Sequence, residues 1–290
     1  MSRTIAFLGT GLMGYPMVEK LLEAGYAVIA WNRTREKALP LREKGARVAD
    51  SAAEAIAAAE VTLLMLTDYP AIQEVLFPGG NLLEVRGKTV IQMGTILPEE
   101  SRRLQQAITE AGGDYLEAPV LGSIPQVREK QLIVMVGGTG EQFRRWTEVF
   151  RAFGSEVHHV GEVGQAAATK LALNHLIAAE AAAFSLSLGL VQGHGVEVEL
   201  FMNILRHSAL YAPTFDKKLP RMLSRDFENP NFPAKHMLKD VNLILAAAQE
   251  AGLSTEMLEG VRSLLETAVH SGHADHDYAA IYEAVVPPRK

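Results

Sequence analysis

The 290-residue chain contains no cysteine. Disulfides, thiolate nucleophiles and cysteine-ligated zinc are therefore excluded together, and the redox compartment is left unmarked. An excess of basic charge is also lacking: 28 lysines and arginines stand against 34 aspartates and glutamates, a formal charge of −6. Nothing in that balance argues for a nucleic-acid partner. Near the N-terminus the apolar run Ile5-Ala6-Phe7-Leu8 stops at Gly9, too short for the core of a secretory signal. The longest apolar stretch, Leu176 to Val191, is interrupted by Glu180 and falls short of the roughly 20 residues of a membrane span. A cytoplasmic protein with no membrane partner is the expectation.

What is present is core material. Apolar residues make up 48% of the chain and charged residues 21%, which excludes intrinsic disorder. The length suggests about two domains. In the first half, short β-branched runs (Thr4–Leu8, Ala27–Trp31, Val61–Leu66, Thr89–Gln92, Tyr115–Ala118, Ile133–Val136, Val157–Val160) alternate with helix-period segments (Met13–Glu23, Ala52–Ala58, Pro98–Ala111, Glu141–Phe150). That alternation predicts βαβ units and a mostly parallel sheet. From about Gly164 the pattern changes. Gln165–Gln192 has no proline and one glycine, Gly189, and its Ala and Leu content predicts a single long helix. Because it is apolar almost all round, burial between other elements is expected. Helices are further predicted over Glu197–His207, Pro213–Leu223, Ala234–Glu250, Thr255–His270 and Tyr278–Val285. The chain thus reads as an α/β domain over 1–163, then an all-α domain over 164–290, entered by the long helix.

A dinucleotide assignment for the first domain rests on Gly9-Thr10-Gly11-Leu12-Met13-Gly14, a G-x-G-x-x-G between a predicted strand and a predicted helix. The first glycine permits a tight turn, the second lets backbone approach a pyrophosphate, and the third lets helix and strand pack closely, as in Rossmann-type domains. The helix N-terminus then offers unpaired N–H groups to the anion. NAD-binding units of this kind carry an acid about 20 residues on, against the ribose 2′-hydroxyl. Here the second strand ends Trp31-Asn32-Arg33-Thr34, without a carboxylate. Arg33 offers a planar fork suited to a 2′-phosphate, so NADP(H) is the expected cofactor, unless Arg33 is simply an exposed loop cation.

Lys170 and Asn174 are four apart in the apolar helix and so share a face. A lysine among Ala167, Ile177, Ala178 and Ala181 either pairs with a carboxylate, snorkels outward, or serves chemistry. Four motifs in order now resemble the β-hydroxyacid dehydrogenases: Gly9–Gly14; Glu117-Ala118-Pro119-Val120-Leu121-Gly122-Ser123; Gly164-Gln165-Ala166-Ala167-Ala168-Thr169-Lys170-Leu171-Ala172-Leu173-Asn174; and Lys239-Asp240. The resemblance covers essentially the whole chain. Within the family, Ala-Pro-Val-x-Gly-Ser and the Asn-Arg-Thr strand end look most like the glyoxylate/succinic semialdehyde reductases. That resemblance implies Lys170 as proton donor, Gly122 and Ser123 as the substrate-carboxylate loop, and Asn174 and Asp240 beside the substrate. It implies Thr95, Lys239, Met65 and Leu66 at the cofactor, together with the glycine loop and Asn32, Arg33 and Thr34, and a homodimer or homotetramer. Phe232 either walls the substrate pocket or staples a helix entry. The sequence departs from the family at Leu121, where serine is usual, and at Gln92-Met93-Gly94-Thr95, so the substrate is less fixed than the chemistry.

That chemistry stands on its own terms. Hydride addition to a carbonyl builds charge on oxygen, which an ammonium stabilises and protonates. The expected substrate is a small aldehyde or keto acid bearing a carboxylate, such as glyoxylate or succinic semialdehyde. Alternatives are a 3-hydroxyisobutyrate or tartronate semialdehyde type of dehydrogenase, an imine reductase, or a non-catalytic cofactor-binding module. The cluster His270, His273, Asp275, His276 and Asp277 is interrupted by Ser271-Gly272, and Asp277 before Tyr278 reads as a helix cap rather than a metal ligand.

Overall fold

A computed structural model of the chain describes residues 3–288. The chain divides into two compact units, Met1–Leu171 and Ala172–Lys290. The first unit runs β1 (Thr4–Leu8), α1 (Gly14–Glu23), β2 (Ala27–Trp31), β3 (Arg47–Val48), α2 (Ala52–Ala57), β4 (Val61–Leu64), α3 (Tyr69–Leu76), β5 (Thr89–Gln92) and α4 (Pro98–Glu110). It continues through β6 (Asp114–Glu117), β7 (Val120–Leu121), α5 (Ile124–Arg128), β8 (Ile133–Gly137), α6 (Gly140–Phe150), β9 (Val157–Gly161) and the start of α7 (Gln165–Gly193).

The sheet has the order β3-β2-β1-β4-β5-β6-β8-β7, with β9 paired to β8. From β3 to β6 all pairs are parallel, and the strand order reverses between β1 and β4, the Rossmann arrangement. β8 then joins antiparallel to β6 and β7, and parallel to β9. Period-two alternation sends side chains to two cores. Ile5, Phe7, Leu63, Ile91 and Leu116 pack with Met17 and Leu21 of α1 and Trp146 and Phe150 of α6. Ala6, Leu8, Leu64, Val90 and Tyr115 pack on the other face with Ile56, Ile72, Leu104 and Ile108. The register aligns Trp31, Leu8, Leu64, Gln92 and Glu117 in one row. The loops after these five strands therefore leave from one edge of the sheet.

The second unit contains the rest of α7, then α8 (Val198–Arg206), α9 (Pro213–Ser224), α10 (Ala234–Glu250), α11 (Glu256–Ala268) and α12 (Ile281–Val285). Phe184 and Leu188 of α7 pack with Met202, Leu205, Leu219, Met222, Phe227 and Tyr282. A Cβ at Gly189 would overlap Val286, so glycine lets the C-terminal segment lie against α7. Asp277 caps the turn at Tyr278–Ala280, accepting from Ala279 N at 3.1 Å. Two expectations need correction. The helix expected to reach His270 ends at Ala268 and opens into a wide turn over Val269–His273, because Gly272 takes φ +94°. The long helix is not buried all round: Leu176, Leu186 and Leu190 are 53%, 65% and 60% exposed. With Ala168, Ala172 and Ala183 they form an exposed apolar stripe, and by length and mean hydropathy alone α7 would pass for a membrane span.

Candidate active site

The glycine loop sits where the strand order reverses, at the carboxyl ends of β1 and β4. Gly9 takes φ +100°, and a Cβ there would overlap the Met65 carbonyl. A Cβ at Gly14 would overlap the Gly9 carbonyl, so this glycine brings α1 onto the turn. Gly11 differs: a Cβ there would meet nothing within 4 Å. Protein packing gives no reason for glycine at this exposed position, whereas close approach of a pyrophosphate does. Among the described residues no side chain caps the start of α1, and its first turn has no acid. These features fit a dinucleotide.

Neighbouring strand ends brace the loop. Gly9 N donates to Trp31 O at 2.9 Å and Met65 N to Leu8 O at 2.9 Å. The Asn32 side chain accepts from Thr10 N at 2.9 Å and donates to Thr34 O at 2.8 Å, so both its polar ends hold backbone. A Cβ at Gly94 would lie 2.6 Å from Leu66 O, which explains glycine before Thr95. Buried Gln92 closes the same turn, accepting from Gly94 N and donating to Gly94 O, both at 3.1 Å. Arg33 is 72% exposed and pairs with Glu74 at 2.7 Å, a surface contact of small energy that leaves the guanidinium accessible. Leu12 is exposed and Met13 half-buried on the loop.

At the far end of the same edge, β6 leads through Ala118 and Pro119 into β7 and the Gly122–Ser123 loop. Gly122 has φ +131°, and a Cβ would lie 2.6 Å from Leu132 Cδ2. Ser123 precedes α5, and both its N–H and its hydroxyl donate to Gln126 Oε1, at 2.9 and 2.8 Å. The serine assigned to an anion thus already has a partner, and the capping-box spacing of Ser123 and Gln126 is the sequence signal for it. Glu117 was passed over as well. Its Oε1 accepts from Gly164 N (2.8 Å), Ala166 N (2.9 Å) and Ala167 N (3.0 Å), at the start of α7. Its other oxygen accepts from Ser101 Oγ, which also contacts Tyr115 Oη at 2.8 Å. Burial pushes the Glu117 carboxyl above its usual range, while the hydroxyl and the three amides pull it down. Half-buried Lys170 follows in the next turn of α7.

In the helical unit, Asn174 lies one α7 turn beyond Lys170 and is buried. Its Nδ2 donates to Asp240 Oδ2 at 2.6 Å, and Lys239 Nζ pairs with Asp240 Oδ1 at 2.7 Å. That carboxylate fixes the amide orientation and leaves Asn174 Oδ1 buried and without a hydrogen-bond partner among the described residues. Burial, then nearby Lys239 and Lys235, pull the His236 imidazole below its ordinary range. Phe232 meets Tyr278 edge-on at 5.8 Å, and Tyr278 N donates to Phe232 O at 3.0 Å. In the histidine cluster, Asp275 pairs with Lys235, Asp277 with Lys218 and His276 with Glu228, and His273 contacts His276.

Residues 4–161 match the NAD binding domain of 6-phosphogluconate dehydrogenase, and residues 164–285 match the NAD-binding domain of NADP-dependent 3-hydroxyisobutyrate dehydrogenase. The chain is 35% identical to glyoxylate/succinic semialdehyde reductase 1 of Arabidopsis thaliana, over 97% of this chain and 98% of that one. It belongs to the β-hydroxyacid dehydrogenase family. A second Arabidopsis thaliana relative, the chloroplastic glyoxylate/succinic semialdehyde reductase 2, is 31% identical over 97% of this chain and 79% of its own. The Mycobacterium tuberculosis 3-hydroxyisobutyrate dehydrogenase solved with L-serine superposes with a TM-score of 0.88 at 25% identity, covering 98% and 99% of the two chains. As a β-hydroxyacid dehydrogenase, this protein is an NAD(P)-binding oxidoreductase with a Rossmann-type domain and a helical C-terminal domain.

Proposed function

We propose that the enzyme reduces a small aldehyde or keto acid bearing a carboxylate, with glyoxylate and succinic semialdehyde first among candidates, to the hydroxy acid at the expense of NADPH. The observation that carries this reading is the end-to-end similarity to a glyoxylate/succinic semialdehyde reductase in a chain that has Lys170 on the first turns of α7. A bound nicotinamide supplies the hydride. Lys170 supplies the proton and offsets charge on the carbonyl oxygen. Gly122 and Ser123 hold the substrate carboxylate, the serine exchanging Gln126 for the anion. Asn174 contacts the substrate with an amide that Asp240 orients, Asp240 being braced in turn by Lys239.

Preference for NADPH rests on Arg33 and on the lack of a carboxylate over residues 31–34. The exposed apolar stripe of α7 supports a homodimer or homotetramer in which a second copy covers it. A 3-hydroxyisobutyrate dehydrogenase type remains the second reading, favoured by the Mycobacterium tuberculosis structure. Nicotinamide absorbance with glyoxylate, succinic semialdehyde, 3-hydroxyisobutyrate and a cyclic imine separates these. Turnover of the imine alone would overturn the proposal. Comparison of succinic semialdehyde with butyraldehyde tests the anion loop, because equal kcat/KM would remove Gly122 and Ser123 from carboxylate binding.

A further inference from the structure

We propose that Glu117 is the positioning residue that sets Lys170 against the substrate loop, a proposal that rests on the reading of Lys170 as proton donor. Glu117 is the last residue of β6, and Gly122–Ser123 follow within six residues along the chain. Its carboxylate meanwhile grips the first turn of α7 through the amides of Gly164, Ala166 and Ala167. Lys170 stands three and four residues after Ala167 and Ala166, the spacing of one helical turn. Helical side chains tilt toward the N-terminus, so the Lys170 stem runs back over the turn that Glu117 holds. One side chain therefore joins the strand end that leads to the substrate loop to the helical turn beneath the lysine.

The clamp is itself held. Ser101 of α4 donates to the second carboxylate oxygen, and Tyr115 contacts the serine from the preceding part of β6. Across the sheet, Gly137 of β8 pairs with Glu117, and a Cβ there would lie 2.5 Å from Glu117 Oε1 and 2.8 Å from Cγ. Gly137 has an ordinary φ, so the space it leaves accounts for glycine at that position. The oxygen crowded by that Cβ is the one holding the α7 amides.

The test uses the full-length enzyme with NADPH. Four variants are compared with wild type: Glu117→Ala, which removes the clamp; Glu117→Gln, which keeps an acceptor oxygen; Gly137→Ala, which displaces the carboxylate but keeps its charge; and Lys170→Ala. Glu117→Ala and Gly137→Ala are expected to lower kcat roughly 10- to 100-fold. Substrate KM and the NADPH Kd should stay within about threefold, and Glu117→Gln should restore most of kcat. Amide exchange at residues 164–167 should accelerate in the two clamp-breaking variants, and if Glu117→Ala does not fold, Gly137→Ala carries the test. Wild-type kcat in both, with Lys170→Ala inactive, overturns the clamp and leaves the lysine's role standing. An equal loss in Glu117→Gln and Glu117→Ala, or a loss confined to the NADPH Kd, overturns it too. An active Lys170→Ala instead removes the reading beneath it, whatever the Glu117 variants do.

Discussion

In the first unit the buried carboxylate of Glu117 meets backbone amides and a serine hydroxyl, whereas in the second the buried carboxylates of Asp240 and Asp277 meet lysine ammonium groups. Large exposed hydrophobic side chains divide just as unevenly. Leu12 and Leu39 belong to the first unit, while Leu176, Leu186, Leu190, Val196, Leu200, Ile204, Leu210, Leu223, Leu253 and Met257 belong to the second. A sheet covered on both faces completes its core within one chain, and its polar side chains are left to shape turns at the strand ends. Helices without a sheet leave apolar stripes uncovered and are pinned by charge pairs. The first unit holds its loops in place with buried polar contacts; the second leaves apolar side chains exposed along its helices.

That contrast predicts that activity and folding can be removed separately. Lys170→Ala should lose roughly 10²–10⁴ in kcat, the usual contribution of a general acid, with folding and NADPH binding kept. Alanine is the best helix former, so α7 should survive. Turnover near wild type would take the lysine out of the chemistry. The next effect is on stability. Asp277 is fully buried, pairs with Lys218 Nζ at 2.7 Å and caps the turn at Tyr278. Lys218 also lies 4.2 Å over the Tyr278 ring, and burial pushes that phenol up to about 12. Asp277→Ala leaves the half-buried Lys218 ammonium without its carboxylate and removes the cap, and should cost about 3–5 kcal/mol in urea unfolding. A cost below 1 kcal/mol would mean that the second unit does not depend on its ion pairs.

Legibility in the sequence follows the same division. The parallel strands were readable because continuous β-branched runs between glycines leave little choice, and β1, β2 and β5 have the expected bounds. The two-residue β3 and β7 escaped because pairing with a neighbour, not local pattern, defines them. α3 carried a signal that went unused: Asp68 accepts from Ala71 N at 2.9 Å, and a proline occupies its first turn. The glycine motif was legible because its spacing between a strand and a helix carries its meaning. Position alone left Lys170 open among pairing, snorkelling and chemistry, and only the resemblance gave it a role. The partners of Asn32 and Glu117 were not legible, since each depends on which strand ends and helix starts the fold brings together. Ser123 and Gln126, by contrast, stand at the spacing of a capping box, a local signal that went unused. The exposed stripe of α7 was misread because an apolar composition says that a face needs covering and not what covers it.

Cofactor choice sharpens the role of the strand-end loops. Arg33→Ala should lower kcat/KM for NADPH about ten- to a hundredfold and leave NADH nearly unchanged, as expected for one charge-assisted contact of about 1.5–3 kcal/mol. The pair with Glu74 is exposed, so its loss should not be felt in stability. Equal losses with both cofactors would place Arg33 away from the 2′-phosphate.

The smallest expected effect probes how the first unit tolerates a buried carboxylate without a lysine. Burial raises the Glu117 carboxyl above the ordinary value of 4.5, so between that value and the raised one the folded chain binds more protons than the unfolded chain. Stability then falls as pH rises through the window, opposite in sign to a salt-bridged carboxylate. The protonated form's contribution is fully present below 4.5 and is lost above the raised value. Tyr115, held well above its usual range chiefly by burial, stays neutral throughout and adds no titration of its own. Glu117→Gln mimics the protonated form, so its stability relative to wild type should be near zero at acid pH and should grow toward neutrality. Subtracting two urea-unfolding curves at each pH cancels every other group that titrates alike in both proteins. A difference that shrinks as pH rises would mean that the α7 amides and Ser101 hold the ionised form more strongly than burial opposes it, making amide groups at a helix start the equal of a lysine.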